Sequence, residues 1–487
     1  MSRSSERRRA PWLVCVCAWL IASTAAIAQA QPQPATEPVP VPATESAPAP
    51  ATESAPAPAP ALPPIADPDD ERPVPDYDGR EEPTTAGDVL IWVPRLVLSP
   101  LWVVSEFVIR RPLGFLITAA EQAHVPELLL DFFTFGPDNN VGMIPIAFID
   151  FGFDPSVGLY LWWDDAFTDG HDLRLRASTW GDDWLAASIS DRWDLGRERA
   201  FAIEATAIRR PDYVFYGIGP STREEDVSRY GSTRYDGRGQ LDIGLWRGSR
   251  FSVALGARSV SFHRGHYGDD PSLGEAVAAG LYTTPEHYEP GYTAIYQRTQ
   301  VAFDSREGAP EPGGGVRIEA EVEHQGDVRR DPGAGMLRWG GGIGGFYDLD
   351  DHRRVVSVAL TASFADPLGH SPVPFTELAT VGGEGSMRGF LPGRLRDRSA
   401  AVASLHYRWP IWVLLDGSIQ LSVGNVFGAH LDDFDPDQLR FSGAIGVESV
   451  GSPDSSLELL FGVGSETFAQ GGRVESLRFA VGTNHGF

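Results

Sequence analysis

The side chains of this chain that invite chemistry fall into four groups. His406 and Ser422 lie on neighbouring predicted strands and face the same way, as a serine nucleophile and its base would. A hydrolase would also need an orienting Asn or Asp and an oxyanion hole, and no pattern supplies them, so both residues read as polar lumen lining. His263 and His266 with Asp269 and Asp270 fall in a long polar connection and read as solvated surface rather than a metal site. Glu319, Glu321 and Glu323 recur every second residue, a row that would favour cations inside a channel. Arg388 stands in GGEGSMRGF, residues 382–390, where glycines permit a tight reversal and a long cation neighbours an aromatic. Ion pairing, not bond making, is the chemistry such an arginine offers. No nucleotide-binding loop appears. The reading is non-enzymatic: no catalytic residue, no metal and no cofactor is expected.

These groups must be positioned by strands, because the hydrophobic period from residue 142 onward is two. In the stretch 316–323, Val316, Ile318, Ala320 and Val322 alternate with Arg317, Glu319, Glu321 and Glu323. Near the end, Leu477, Phe479, Val481 and Phe487 oppose Ser476, Arg478, Ala480 and Gly482. Sixteen strands are predicted, the first near 142–152 and the last near 474–487. Their connections sort by parity. One set is short. The other contains every long one, at 210–234, 263–293, 365–399 and 428–439. Short turns on one rim and long loops on the other predict an all-β fold, a 16-stranded antiparallel transmembrane β-barrel. A lipid-facing charge at mid-depth would cost about 2–4 kcal/mol, so the charged row is expected to face the lumen. Trp162, Trp163, Tyr407 and Trp409, near strand ends, are expected in the interfacial girdles.

Residues 1–30 read as a secretory leader: Arg3, Arg7, Arg8 and Arg9 precede an apolar core, and Ala26-x-Ala28 and Ala28-x-Ala30 offer cleavage sites. Cys15 and Cys17 both lie inside it, so the exported chain would carry no thiol. Residues 31–85, with their repeated ATESAPAPA, are too rich in Pro and Ala to fold and read as a periplasmic tether. Residues 86–136 read as short amphipathic helices, broken at Pro100, Pro112 and Pro126, that pack beneath the barrel, which occupies 142–487. The formal charge of −26 argues against a nucleic-acid partner. Lys is absent, so arginine carries all the fixed positive charge.

The motif of residues 382–390 does not stand alone. It continues into Arg396-Asp397-Arg398-Ser399, SLHYRWPI at 404–411 and VGNVF at 423–427, and the chain ends on Phe487. Upstream lie YGIGPST at 216–222 and FDSREGAPEPGGG at 303–315. Together these resemble the barrel of the BamA/TamA superfamily of outer-membrane assembly factors and translocators, the bacterial surface antigen domain. The 55 or so residues between tether and barrel leave no room for a POTRA module, so the resemblance is to members that lack those domains.

The resemblance implies a role in inserting or translocating protein or lipid across the outer membrane. It implies a loop at 365–399 folded into the lumen, with Gly382, Gly383, Arg388, Gly389 and Phe390 as its motif. The family's acidic partners for the arginine would fall at His406 and Ser422, neither of them acidic, which leaves Glu448 and Glu458 as further candidates. Phe479, Val481 and Phe487 would form a C-terminal assembly signal. Expected partners are outer-membrane lipid, the barrel assembly machinery that inserts this chain, and a protein or lipid cargo, with the barrel itself monomeric. A passive porin-like channel and an outer-membrane lipid hydrolase are the alternatives.

Overall fold

A computed structural model describes residues 132–136, 140–306, 313–329, 335–349, 354–412, 415–449 and 457–483. The leader, the tether, most of the helical segment and Phe487 lie outside the described residues.

Sixteen strands form the wall. They are β1 (Val141–Asp150), β2 (Ser156–Trp163), β3 (His171–Thr179), β4 (Leu185–Gly196), β5 (Arg199–Phe215), β6 (Ser228–Trp246), β7 (Ser249–Arg264) and β8 (Tyr292–Asp304). The second half comprises β9 (Gly315–Asp327), β10 (Gly335–Asp348), β11 (Val355–Leu368), β12 (Ser399–Trp412), β13 (Leu415–Phe427), β14 (Arg440–Ser449), β15 (Leu457–Thr467) and β16 (Val474–Thr483). Each strand runs antiparallel to its predecessor, and β16 returns to pair with β1. The sheet is therefore a closed 16-stranded barrel.

Alternation assigns the two faces. Val316, Ile318 and Val322 of β9 are exposed on the outer wall, as are Leu255, Ile295, Ile343, Leu360, Leu405 and Phe461 on other strands. An apolar belt running round the whole barrel would be a liability in water, whereas hydrocarbon accommodates it. The opposite face of β9 is charged: Arg317 bonds Glu319 at 2.8 Å, Glu321 accepts from Gln300, and Glu323 is fully buried among arginines. The acidic row thus lines the interior.

The rims differ as the connection lengths require. The described turns at 164–170, 197–198 and 247–248 share one rim, and the connections 216–227, 265–291, 369–398 and 428–439 share the other. The connection 216–227 is shorter than the predicted 210–234, because β5 and β6 continue as a hairpin above the wall. Pro211 is the physical reason. It has no N–H to donate, and the ladder absorbs it by a register shift between Arg210 and Tyr213 instead of ending there.

One girdle assignment is corrected. Trp162 shares its face with Tyr160, stacks on it at 6.0 Å and is buried with Ile144, so it points inward. Trp163 has the outward parity, and Tyr407 and Trp409 stack on each other on their strand's outward face. Thr134–Phe135, expected as helix, pairs as a short strand with the start of β1, and Phe133 packs against the Trp162 cluster.

Outward parity makes a quantitative prediction. Ile318→Arg should destabilise the barrel in bilayers by about 2–4 kcal/mol, whereas Glu319→Gln, one residue on but facing the lumen, should cost under about 1 kcal/mol. Denaturant unfolding from lipid vesicles, followed by tryptophan fluorescence, measures both.

Candidate functional site

The β11–β12 connection builds the site. Within it two short strands, Ala379–Val381 and Leu395–Asp397, pair antiparallel, so the motif between them is a hairpin tip. Gly382 and Gly383 both have positive φ (+111° and +85°), which only glycine adopts readily and which turns the chain sharply after Val381. Met387 and Phe390 are fully buried, in a cluster with Val381, Leu395 and, from the wall, Val402 and Val426.

The tip rests on the inner faces of β14, β15 and β16. The Gly389 N–H donates to Ser442 Oγ at 2.9 Å, and Ser476 Oγ donates to the Gly389 carbonyl at 3.1 Å. A Cβ on Gly389 would meet the Val463 carbonyl oxygen at 2.0 Å. The wall is cut to match. A Cβ on Gly462 would meet Gly389 Cα at 2.8 Å, and one on Gly464 would strike the Phe390 ring at 2.5 Å. Two glycines of β15 thus form a slot that receives the RGF backbone and ring.

Arg388 is buried there and its guanidinium is ion-paired with Glu458 of β15, itself buried. Of the other candidate partners, His406 faces Gln420 across the β12–β13 ladder, and Ser422 bonds Ser404 Oγ at 2.9 Å. The serine hydroxyl therefore engages another serine and not the histidine. Glu448 faces Glu458 across the β14–β15 pair. Among the connection residues, His266 bonds Asp183 at 2.7 Å and Asp270 bonds Arg229 at 2.7 Å, and no metal-holding cluster occurs among the described residues.

The connection is held on the opposite wall too. Glu377, fully buried, pairs with Arg258 of β7 at 3.0 Å and Arg338 of β10 at 3.4 Å, and accepts from Tyr292 Oη at 2.5 Å. Burial alone would push its carboxyl up, but the Arg258 and Arg338 guanidiniums outweigh that and hold it below the ordinary 4.5. Arg394 bonds Glu224 at 2.8 Å and Glu475 of β16 at 3.0 Å, over the Tyr216 ring at 4.3 Å. The YGIGPST segment joins the same assembly. Its Pro220 carbonyl accepts from Asn425 of the VGNVF segment at 3.0 Å and from Arg440 at 3.3 Å. Motifs separated by some two hundred residues meet at one rim. FDSREGAPEPGGG starts at the other, where Arg306 pairs with Asp304 at 2.7 Å.

Among the described residues β16 and β1 share, across the closing seam, the register pairs Ala480 with Asp150, Val481 with Ile149 and Gly482 with Phe148, and the Phe151 N–H donates to the Phe479 carbonyl at 2.9 Å. Pro145 in β1 lacks an N–H, as is usual for proline at sheet edges. Inside the seam Arg478 bonds Asp150 at 2.8 Å, both fully enclosed. Beside it lies a cavity of about 320 Å³, lined by Phe148, Phe153, Trp184, Tyr213 and Glu384 among others. Phe479, of the predicted terminal signal, meets Phe151 edge-on at 5.3 Å outside the same seam.

Sequence reasoning missed Glu377, Arg394, Arg440, Asp150 and Arg478. Each is a single charged residue in a polar or alternating context, and only their convergence singles them out. Arg478 had one legible signal, its inward parity at a position where a lumen charge requires a partner.

The Omp85 superfamily domain matches residues 169–484. Among solved structures, BamA from Haemophilus ducreyi lacking POTRA domains 1–3 is similar with a TM-score of 0.50 at 16% identity, covering 71% of this chain and 70% of that one. CdiB from Acinetobacter baumannii follows with a TM-score of 0.45 at 12% identity, over 71% of this chain and 59% of that one. At such identities the likeness to BamA concerns the fold.

Two outcomes follow from this geometry. Gly389→Ala should unseat the tip, since overpacking of this kind costs about 1–3 kcal/mol; faster trypsin cleavage after Arg388 from the outer face would report it. The Glu377 pairs should be fully stabilising above the ordinary glutamate value of 4.5 and weaken as pH falls through the lower folded value. Hydrogen exchange across residues 375–381 should therefore rise only in acid, and Glu377→Gln should abolish that acid dependence.

Proposed function

Because the chain belongs to the Omp85 superfamily, we propose that it assists insertion or translocation of protein or lipid across the outer membrane. In this reading the 365–399 connection is the lumen loop of that machinery, folded inward. The observation that carries the reading is the seating of Gly389 and Phe390 against the slot of Gly462 and Gly464, beside the seam between β16 and β1. A loop held on two sides of the wall stops free diffusion, and the β16–β1 seam, the one junction that no chain connection joins, is the place where the cylinder can part. Leader removal at residues 1–30, a periplasmic tether over 31–85 and a helical collar in the segment that precedes Thr134 complete the arrangement. The barrel works as a monomer, is inserted by the assembly machinery, and needs no cofactor.

The passive-channel alternative rests on the charged lumen row, and the occupied lumen weighs against it. The hydrolase alternative loses its geometry, since Ser422 bonds Ser404.

Depletion of the chain, followed by quantitative profiling of outer-membrane proteins and lipids, is expected to deplete a defined subset. Arg388→Ala and a disulfide introduced across the seam should reproduce the loss. An unchanged profile, together with large steady conductance of the wild type in planar bilayers, would overturn the reading in favour of a porin.

A further inference from the structure

Four buried charges lie in a row from β1 to β15: Asp150, Arg478, Arg388 and Glu458. The outer two are the anions and the inner two the cations, so the set is neutral. Asp150 and Arg478 join β1 to β16 through contacts of 2.8, 3.2 and 3.3 Å. Arg478 does more than bridge the seam. Its Nη1 donates to the Gly383 carbonyl at 2.6 Å and to the Arg388 carbonyl at 3.3 Å, so the same guanidinium grips the loop backbone. Arg388 then reaches Glu458 on β15. Ser476, two residues before Arg478 on the same inner face, holds the Gly389 carbonyl. The loop tip is thus fastened to the strand that forms one lip of the seam.

The resemblance to the superfamily places the arginine's counter-charges on β12 and β13, where this chain has His406 and Ser422. Here the counter-charge is on β15, next to β16. We propose that this relocation makes the loop and the seam a single latch: the loop leaves its seat only when β16 and β1 part, and the seam parts only when the loop lifts. The physical reason is that Arg478 is the shared group: parting the seam takes Asp150 from it and lifting the loop takes the Gly383 and Arg388 carbonyls, and a buried guanidinium short of acceptors is costly. The inference rests on the seam-opening reading above and adds which residues couple it to the loop.

The test uses the full chain in native outer membranes and two distant readouts. Ile149→Cys with Val481→Cys, register partners across the seam, report seam closure by the rate of disulfide formation. In a separate background Gly385→Cys, a position with open space for a side chain, reports loop release by labelling with a membrane-impermeant maleimide. Glu458→Gln removes the anion paired with the loop's arginine and should slow seam cross-linking about tenfold; Asp150→Asn removes the anion across the seam and should speed loop labelling about tenfold. The double variant should exceed neither single by more than about twofold, as expected for groups acting together. Ser476→Ala, a milder change, should shift both readouts in the same directions by about threefold, and Glu319→Gln should shift neither. If Glu458→Gln frees the loop but leaves seam cross-linking within twofold of the parent, or Asp150→Asn loosens the seam without exposing the loop, the latch is refuted. Both readouts are conformational. A coupled latch in a chain whose depletion changes no outer-membrane profile refutes the proposed function alone, and independent readouts in an active chain refute the latch alone.

Discussion

Hydrocarbon provides no partner for a backbone N–H or C=O, and every feature of this molecule is a consequence of that. A sheet that spans lipid must close, and closure gives it one face toward acyl chains and one toward an enclosed space. The outer face then has no use for charge, and the inner face collects it. The cylinder is closed at the one strand junction that no chain connection joins, between β16 and β1.

The enclosed space combines arginine chemistry with apolar clusters such as that of Met387 and Phe390. Arg258, Arg394, Arg440 and Arg478 are each almost wholly buried, and each has several acceptors. A planar guanidinium has five donors in a fixed fork, which lets one side chain bind a carboxylate and neighbouring carbonyls at once. Arg478 does this with Asp150 and the loop, and Arg440 with Glu475, Pro220 and Thr222. A lysine, with its compact ammonium, could not span such sets of acceptors. The absence of Lys from the whole chain therefore fits an interior in which cations act as multi-toothed clamps.

The loop shows how a motif can persist while its counter-charge moves. The small residues that let the RGF segment approach the wall are matched by Gly462 and Gly464, whose missing side chains leave the slot. That steric match fixes where the backbone lies. The arginine side chain, being long, then takes the carboxylate within reach, which is Glu458. Shape sets the seat and electrostatics adapt to it.

By itself the sequence determined the strand number, the antiparallel closure, the two rims and the faces of β9 and β16, because period-two alternation and connection parity are local properties that lipid enforces strictly. It also marked the loop, through a motif whose glycines announce a tight turn. Tertiary structure alone decided which carboxylate meets Arg388, that Glu377 joins the far wall, that Pro220 reaches Asn425, and that Trp162 points inward despite its place near a strand end. Such pairings depend on barrel shear and on how far a loop of some thirty residues folds back, and neither is written in any local period. The hairpin of β5 and β6 continued past Pro211 for the same reason: a neighbouring strand able to shift register decided it, and that neighbour lies about twenty residues away along the chain.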